Sequence, residues 1–131
     1  MTTREIGILG EKIAAKYLKK SGFRILERNK HYSHNELDIV ARNKHFLLFV
    51  EVKTRSFSGN ELQNDYGIPS SAVTREKQKR LLCAARDYIR SNGTKNRQPR
   101  MDVIEVYLEK DSKKIIKINH IENAFGVKST F

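Results

Sequence analysis

The stretch NELDIVARNKHFLLFVEVKTR, residues 35–55, decides the fold of this chain. Its two apolar runs, residues 37–41 and 46–52, lie on either side of a short polar connection at residues 42–44. Runs rich in Val, Ile, Leu and Phe around such a connection are typical of a β-hairpin. We therefore expect two neighbouring antiparallel strands in this stretch.

The second strand of the hairpin combines apolar side chains with two charges. Side chains alternate between the faces of a strand, which places Leu48, Val50 and Val52 on one face and Phe49, Glu51 and Lys53 on the other. A carboxylate and an ammonium at the end of an apolar strand are costly to bury alone, because an unpaired buried charge is strongly disfavoured. Glu51 and Lys53 therefore call for a functional explanation.

Asp38 lies at the start of the first strand, where the predicted pairing brings it close enough to Glu51 to share a cation. The spacing Asp38-x12-Glu51-x-Lys53 is the one that a divalent-metal nuclease site requires. Two hard oxygen ligands hold Mg²⁺ or Mn²⁺, and the neighbouring ammonium orients or activates the attacking water. The hairpin thus predicts a metal site with Lys53 beside it.

Length and charge restrict the class of protein. The 131 residues predict one domain, residues 1–131, with a single core. The 26 lysines and arginines outnumber the 15 aspartates and glutamates, which gives a formal net charge of +11. Such a charge favours a polyanionic partner, with nucleic acid the first candidate and an acidic membrane surface the second. A basic surface without a specific partner is the alternative.

The cysteine and histidine content argues against disulfides and zinc. Cys83, within the apolar pattern of a predicted helix, is the one cysteine of the sequence, as expected in a reducing compartment. No apolar run approaches the ~20 residues of a membrane span. With no signal-peptide segment at the N-terminus, we expect a cytoplasmic protein. The histidines show no paired ligand spacing, and each is predicted to be a surface or capping residue: His31, His34, His45 and His120.

The N-terminal part predicts a helix and then a strand. Apolar residues recur at helical spacing over residues 3–21, and Gly22 supplies a stop. Glu11 lies on the flank of the apolar stripe, where it is either a solvated helix residue or points from the rim of the core toward the hairpin carboxylates. Residues 23–27 predict a first strand, followed by a polar segment at residues 28–35.

A long polar loop and a second helix follow the hairpin. Residues 54–73 predict a mobile loop that serves as a lid, a nucleic-acid clamp or a disordered segment. The second helix is expected from Thr74, as N-cap, to residue 92, with Gly93 ending it. Lys77 and Gln78 either point at the sheet or extend to solvent. The opposite face carries a stripe suited to phosphates: Arg75, Lys79, Arg86 and Arg90.

The C-terminal part predicts two more strands. After a basic loop at residues 94–100, strands are expected at residues 101–108 and 114–119, then a short final helix at residues 120–125 and a loose tail at residues 126–131. The element order α-β-β-β-α-β-β predicts an α/β fold in which helices flank a mixed sheet.

Six blocks of the sequence, in this order, resemble the YraN family, also called UPF0102: GILGEKIAAKYLKKSGFRILERN, NELDIVA, FVEVKTR, AVTREKQKRL, RMDVIEV and HIENAF. The likeness extends over residues 7–125. The family is assigned by fold to the PD-(D/E)xK endonuclease-like superfamily, whose members include archaeal Holliday-junction resolvases. A lone Asp-x12-Glu-x-Lys spacing is unspecific, whereas six blocks in the right order are specific.

The resemblance implies a restriction-endonuclease-like three-layer core with a mixed central sheet. It also implies that Asp38, Glu51 and the backbone carbonyl of Val52 bind Mg²⁺ or Mn²⁺, while Lys53 lies beside the scissile phosphate. Glu11 matches a Gly-Glu pair, at the place where resolvases carry an additional acidic residue that would hold a second ion directly or through water. Lys77 and Gln78 match a helix position that approaches the phosphate in related nucleases. The expected nucleic-acid-binding set is Lys77, Gln78, Arg55, Arg75 and Lys79.

Three functions are open at this point. The first is a metal-dependent nuclease, with DNA favoured over RNA and branched DNA suggested by the resolvase likeness. The second is a nucleic-acid-binding module that keeps the nuclease fold without turnover, which the net charge supports equally well. The third is a protein-interaction scaffold in which residues 120–125 dock a partner. A homodimer would suit a two-fold junction, although no segment requires one.

Overall fold

The computed structural model describes residues 1–32, 35–58 and 73–126. These residues form helices α1 (Thr3–Lys20) and α2 (Arg75–Asn92), together with strands β1 (Arg24–Tyr32), β2 (Asn35–Arg42), β3 (Phe46–Phe57), β4 (Gln98–Glu109) and β5 (Ile115–Phe125). The predicted element order α-β-β-β-α-β-β is confirmed. In the described part of the chain, no helix is long and apolar enough to cross a membrane.

The five strands form one mixed sheet in the order β1-β2-β3-β4-β5. The pairs β1–β2, β2–β3 and β4–β5 are antiparallel, whereas β3 and β4 are parallel. Parallel neighbours cannot be joined by a tight turn, so the chain crosses over between them through α2. Because the sheet order follows the chain order, β3 lies at the centre, and the hairpin of β2 and β3 carries the candidate site residues.

A helix covers each face of the sheet, which gives the three layers of an α/β fold. Leu48 and Val50 pack in the α1 layer with Leu18, whereas Phe49 packs in the α2 layer with Tyr88. The predicted alternation of β3 is therefore confirmed. On each face, burial of the apolar stripe of a helix against the sheet supplies the main stabilisation of the core.

The helix ends follow local rules. Thr2 caps α1 through a reciprocal pair of hydrogen bonds with Glu5, and Gly22 takes the left-handed conformation (φ 94°) just after the helix. At α2, the hydroxyl of Thr74 accepts a hydrogen bond from the backbone N–H of Lys77 at 3.1 Å. Gly93 has φ 74° at the other end. The predicted bounds of both helices are therefore confirmed within one residue.

Gly10 allows α1 to lie close to β3. A Cβ atom at this position would clash with the side chain of Thr54. The neighbouring residue in the helix is Glu11, so this close approach fixes the position of that carboxyl group relative to the hairpin.

β1 and β3 both extend beyond their predicted ends. The polar segment expected at residues 28–35 is largely strand, because β1 continues to Tyr32, which pairs with Asn35 of β2. An edge strand exposes polar side chains, so polarity is a poor indicator of its end. β3 likewise continues through residues 54–57 along β4, into the predicted loop. The predictions for the remainder of that loop, residues 59–72, and for the tail at residues 127–131 lie outside the described residues.

The predicted final helix at residues 120–125 is wrong. These residues belong to β5, in which His120 pairs with Ile104 and Phe125 pairs with Met101 of β4. A six-residue apolar pattern does not distinguish a strand from a helix, and the hydrogen-bonding groups of β4 decided the outcome. A docking helix at this place is therefore excluded. Cys83, expected within an apolar pattern, has an exposed side chain on α2.

Candidate functional site

The ladder between β2 and β3 leaves an opening at one end. Their Cα pairing begins at Ile39 opposite Val50, so Asp38 and Glu51 lie just outside the paired region. There the Oδ2 atom of Asp38 accepts a hydrogen bond from the backbone N–H of Val52 at 2.9 Å. A side chain thus satisfies the N–H group that a strand neighbour would otherwise bind. This bond holds the Asp38 carboxyl beside residues 51 and 52.

Glu51 is the most perturbed acid of the site. Its residue is only 7% exposed, and its Oε2 atom has no hydrogen-bond partner within the described residues. Burial is the main reason that the pKa of Glu51 rises to about 8, and the charge of Asp38 and a hydrogen bond with its side chain add to the rise. Lys77 and Lys53 act in the opposite direction. At neutral pH, Glu51 is therefore mainly protonated in the ligand-free protein.

Two lysines from different elements surround the Glu51 carboxyl. Lys77, in the first turn of α2, places its Nζ atom 3.8 Å from Oε2 of Glu51. Lys53 is half-buried on β3, on the same strand face as Glu51. Both cations favour the charged form of the acid, although burial outweighs them. Of the two orientations open to Lys77 in the sequence, the structure shows the one directed at the sheet.

Gln78 does not join this group. Its Nε2 atom donates a hydrogen bond to the backbone carbonyl of Val73 at 3.0 Å, which ties the side chain to the entry of α2. The cationic stripe that was expected on the other face of α2 is exposed: Arg75, Lys79, Arg86 and Arg90. Arg90 is engaged at 3.9 Å with Asp87.

Glu11 approaches the site from the α1 side of the sheet. Its side chain is half-buried, and burial raises the pKa of its carboxyl, with a further rise from the negative charge of Asp38. A hydrogen bond with Asn29 lowers the same pKa. Asp38 therefore interacts electrostatically with one acid from each side of the sheet, Glu11 and Glu51.

Two carboxylate side chains, those of Asp38 and Glu51, lie close enough together to bind a magnesium-type ion. Over residues 1–32, 35–58 and 73–126, no group of three His, Cys, Asp or Glu side chains lies close enough together to hold a metal ion. Mg²⁺ commonly binds through one or two carboxylates and keeps water or phosphate oxygens as its other ligands. The unpartnered Oε2 atom of Glu51 beside Asp38 meets that requirement, and the Val52 carbonyl is the third candidate donor. Glu11 fits the outer shell better than direct ligation.

One buried acid on the strand next to β3 was missed in the sequence. Glu105 of β4 is fully buried and pairs with Lys53 across the ladder. Its Oε1 atom accepts hydrogen bonds from Tyr107 at 3.2 Å and Asn119 at 2.8 Å, while Oε2 has no partner in the described chain. Arg55, which was expected to bind nucleic acid, has a buried Nε atom that makes no hydrogen bond within the described residues. The signal for Glu105 was available: a charge within the apolar run VIEV, the same signal that identified Glu51.

A second hydrogen-bond network connects α1 to strands β4 and β5. Asp102 is 1% exposed and receives two hydrogen bonds from Arg100, both at 2.9 Å, and one from Nε2 of His120 at 2.6 Å. Nδ1 of His120 lies 2.9 Å from the hydroxyl of Tyr17. Burial would raise the pKa of Asp102, but these hydrogen bonds and one from the N–H of Asn123 outweigh it and lower the pKa. The network is structural.

The same network corrects the prediction for His120. This histidine is neither a surface nor a capping residue, because its side chain is 9% exposed and joins Asp102 to α1. The spacing of Arg100 and Asp102, two residues apart on one strand face, was a usable signal for the ion pair. The position of His120 on the neighbouring strand was not readable from the sequence.

Fold and site define an α/β protein with a mixed five-stranded sheet and an acidic opening at the end of its central hairpin. The family model described as "Uncharacterised protein family UPF0102" matches residues 10–106, and the chain belongs to this family. A UPF0102 protein of Caldanaerobacter subterraneus subsp. tengcongensis is 44% identical over 93% of this chain and 95% of its own length. Another, of Syntrophomonas wolfei, is 43% identical over 93% and 98%.

One solved structure gives a weaker likeness. The crystal structure of an XisH family protein from Nostoc punctiforme PCC 73102 aligns with a TM-score of 0.40 at 14% sequence identity. The alignment covers 84% of this chain and 98% of that chain.

Proposed function

We propose that this protein is a metal-dependent nuclease that hydrolyses phosphodiester bonds in nucleic acid, with DNA favoured and branched DNA the first structured substrate to test. The observation that supports it best is the Glu51 carboxyl group. It is buried, has a pKa of about 8 and lies beside Asp38 with two lysines around it. Its Oε2 atom makes no hydrogen bond within the described residues. Burial of such a group without a ligand is unfavourable, which a cation between the two acids would correct.

Each residue has a distinct role in this proposal. Asp38 and Glu51, with the Val52 carbonyl, would hold Mg²⁺ or Mn²⁺, which supplies Lewis-acid stabilisation of charge on phosphate oxygens. Lys53 stabilises negative charge on the phosphate or on the water that attacks it. Glu11 orients water near Asp38.

Lys77 links the site to the nucleic-acid surface. In the ligand-free protein it lies beside Glu51 and reduces the cost of the buried carboxyl. From this position in the first turn of α2, Lys77 would also supply positive charge toward a substrate phosphate. Arg75 and Lys79 lie nearby on α2 with exposed side chains and extend the positive surface.

The experiment is Mn²⁺-dependent cleavage of labelled single strand, duplex, flap, four-way junction and RNA. Wild type is compared with Asp38→Asn and Lys53→Ala, and with Lys19→Gln on the exposed end of α1 as a charge-matched control for Lys53→Ala. We expect metal-dependent cleavage by wild type and the control, and a loss of at least about 100-fold in both site variants. Binding to the same substrates should survive in Lys53→Ala. Equal cleavage by wild type and Asp38→Asn would contradict the proposal.

A non-catalytic nucleic-acid-binding module is the second candidate. The net charge of +11 supports it, and so does the finding that no three acidic or metal-binding side chains converge within the described residues. This alternative predicts salt-sensitive binding without cleavage of any substrate. It also predicts that Mn²⁺ shifts the melting temperature of wild type and Asp38→Asn equally, whereas a metal site stabilises only wild type.

A further inference from the structure

A cavity lies at the end of β3 opposite the candidate site. It has a volume of about 470 Å³ and forms between the C-terminal end of α2, the β2–β3 connection and the basic loop after α2. Leu47 lines it, four residues before Glu51 along β3, which corresponds to about 13 Å of strand. The cavity is therefore separate from the acidic site, although both lie on the α2 face of the sheet.

Among the described residues, three cations and no carboxylate line this cavity. The cations are Arg42 at the end of β2 and Lys95 and Arg97 in the basic loop. Arg97 is held in place because its Nε atom donates to the carbonyl of Asn43 at 2.6 Å and its Nη1 atom donates to the carbonyl of Lys95 at 3.3 Å. Within the described residues, no hydrogen bond of its Nη2 atom is formed, and Arg97 lines the cavity. Guanidinium and ammonium groups grouped in this way are typical of phosphate recognition.

The pairing of β1 with β2 gives a second indication that an anion binds near Arg42. Arg42 is the Cα partner of Arg24 on β1, so two arginines lie directly opposite each other on the same face. Like charges in this arrangement destabilise a sheet. Among the ion pairs formed by the described residues, none involves Arg24, Arg42 or Lys95. An anion bound at Arg42 would relieve this repulsion.

The floor of the cavity is apolar. Leu26, Leu47 and the ring of Tyr88 form it, and Tyr88 is fixed by edge contact with Phe49, with ring centroids 5.7 Å apart. A free phosphate would leave this floor empty, and an apolar ligand would leave the cations unmatched. A ligand with one anionic end and a flat body uses both surfaces. A cavity of about 470 Å³ is within the range of small-molecule sites.

We propose that this cavity, the α2 C-terminal pocket, binds a nucleotide, with its phosphate at Arg42, Lys95 and Arg97 and its base over the apolar floor. The nucleotide is either a free mononucleotide or one unit of a nucleic-acid chain. The proposal does not rest on the nuclease activity, since no residue of the pocket belongs to the acidic site.

The test follows backbone amide resonances of the whole protein by NMR during titration with adenosine 5′-monophosphate and, separately, with a short single-stranded oligonucleotide. We expect the amides of residues 91–97 to shift. The pocket variant Arg42→Gln/Lys95→Asn should bind at least about tenfold more weakly. Asn is chosen at residue 95 because Lys95 has φ 53°, and Asn accepts this conformation well. The charge-matched control Lys16→Gln/Lys19→Gln, exposed on α1, should bind within about twofold of wild type.

The outcomes separate the sources of the nucleotide and the two proposals. Shifts with both ligands support a free nucleotide as ligand, and shifts with the oligonucleotide alone support a unit of a chain. If neither ligand shifts residues 91–97 of the wild type, or if both double variants weaken binding equally, the pocket proposal is overturned. Asp38→Asn should bind adenosine 5′-monophosphate as wild type does, so a failure of the nuclease proposal is distinguishable from a failure here.

Discussion

At the scale of single residues, Glu51 makes folding depend on pH. The pKa of its carboxyl is about 8 in the folded protein against an ordinary value of 4.5. The folded state therefore holds this proton more tightly than the unfolded chain. The resulting stabilisation is fully present below about pH 4.5 and is lost as the pH rises through 8.

We expect the free energy of unfolding of metal-free protein to fall by an amount on the order of 2–4 kcal/mol between about pH 5 and about pH 9, because one pKa unit corresponds to about 1.4 kcal/mol. Glu51→Gln, which resembles the protonated acid, should remove most of this dependence. Urea unfolding at a series of pH values measures this pH dependence. Glu11→Gln is the control, because burial also raises the pKa of Glu11. An unchanged dependence in Glu51→Gln would show that Glu51 titrates normally.

Asp102 has the opposite pH behaviour. Its pKa is lowered from 3.8, so its stabilisation is present at neutral pH and is lost as the pH falls below about 4. Asp102→Asn leaves the guanidinium of Arg100 buried without its anion. We expect this substitution to lower the free energy of unfolding at pH 7 by about 3–5 kcal/mol.

The matched control for Asp102 is a surface pair. Asp87 lies 3.9 Å from Arg90 with both side chains exposed, so Asp87→Asn should change stability by no more than about 0.5 kcal/mol. Urea unfolding of both variants at pH 7 makes the comparison. Similar small effects in both variants would mean that the Asp102 network adds nothing beyond a surface ion pair.

At the scale of elements, the contact between α1 and β3 depends on a glycine. A methyl group at Gly10 clashes with the side chain of Thr54, whereas one at Gly7 of the same helix meets nothing within 4 Å. We expect Gly10→Ala to lower the free energy of unfolding by about 1–3 kcal/mol through overpacking. Gly7→Ala should instead raise it by up to about 1 kcal/mol through helix propensity.

Thermal unfolding of the two variants compares the same chemical change on one helix. Adding Thr54→Ala to Gly10→Ala removes the Oγ1 and Cγ2 atoms that cause much of the clash. The double variant should therefore recover part of the lost stability. If Gly10→Ala stabilises the protein as Gly7→Ala does, α1 does not pack against β3 as described.

The helices and the central hairpin were predictable because their signals are local. Thr74 and Gly93 mark the ends of α2 through capping geometry that needs no tertiary partner. The strand character of residues 120–125 was not predictable, since it comes from pairing with β4, which is distant in sequence. β4 also pairs with distant strands, but its alternating apolar residues made its type readable, whereas residues 120–125 have no such alternation.

The site was predictable in its acids but not in its geometry. The cost of burying charge identified Glu51 and Lys53, and the predicted strand pairing and spacing then identified Asp38. The same burial rule applied to β4 would have identified Glu105. The unpartnered oxygen of Glu51 and the separate engagement of Gln78 depend on how α2 lies against the sheet. No spacing in the sequence contains that information.

At the scale of the whole molecule, each helix carries part of the net charge of +11. On α2, exposed cations run between the acidic site at one end and the α2 C-terminal pocket at the other: Arg75, Lys79, Arg86 and Arg90. α1 lies on the opposite face of the sheet and has exposed cations of its own: Lys12, Lys16, Lys19 and Lys20. The proposed nuclease site and the proposed nucleotide pocket would both place a nucleic-acid ligand on the α2 face of the sheet.

The salt dependence of binding tests that orientation. Each phosphate contact contributes about 0.9 to the slope of log K against log salt concentration on duplex DNA. We expect the triple variant Arg75→Gln/Lys79→Gln/Arg86→Gln to reduce the magnitude of this slope by about 2–3. Lys16→Gln/Lys19→Gln/Lys20→Gln removes the same charge from α1 and should change the slope by less than about 1, because its residues face away from the substrate.

Fluorescence anisotropy with a labelled duplex, in EDTA so that no cleavage occurs, gives both slopes at a series of salt concentrations. A larger change in the α2 variant assigns phosphate contacts to that helix. Equal changes in both variants would mean that DNA responds to the overall field of the protein and not to one face. In that case the path from the acidic site along α2 would have to be abandoned, while the charge-controlled test of the α2 C-terminal pocket would still stand.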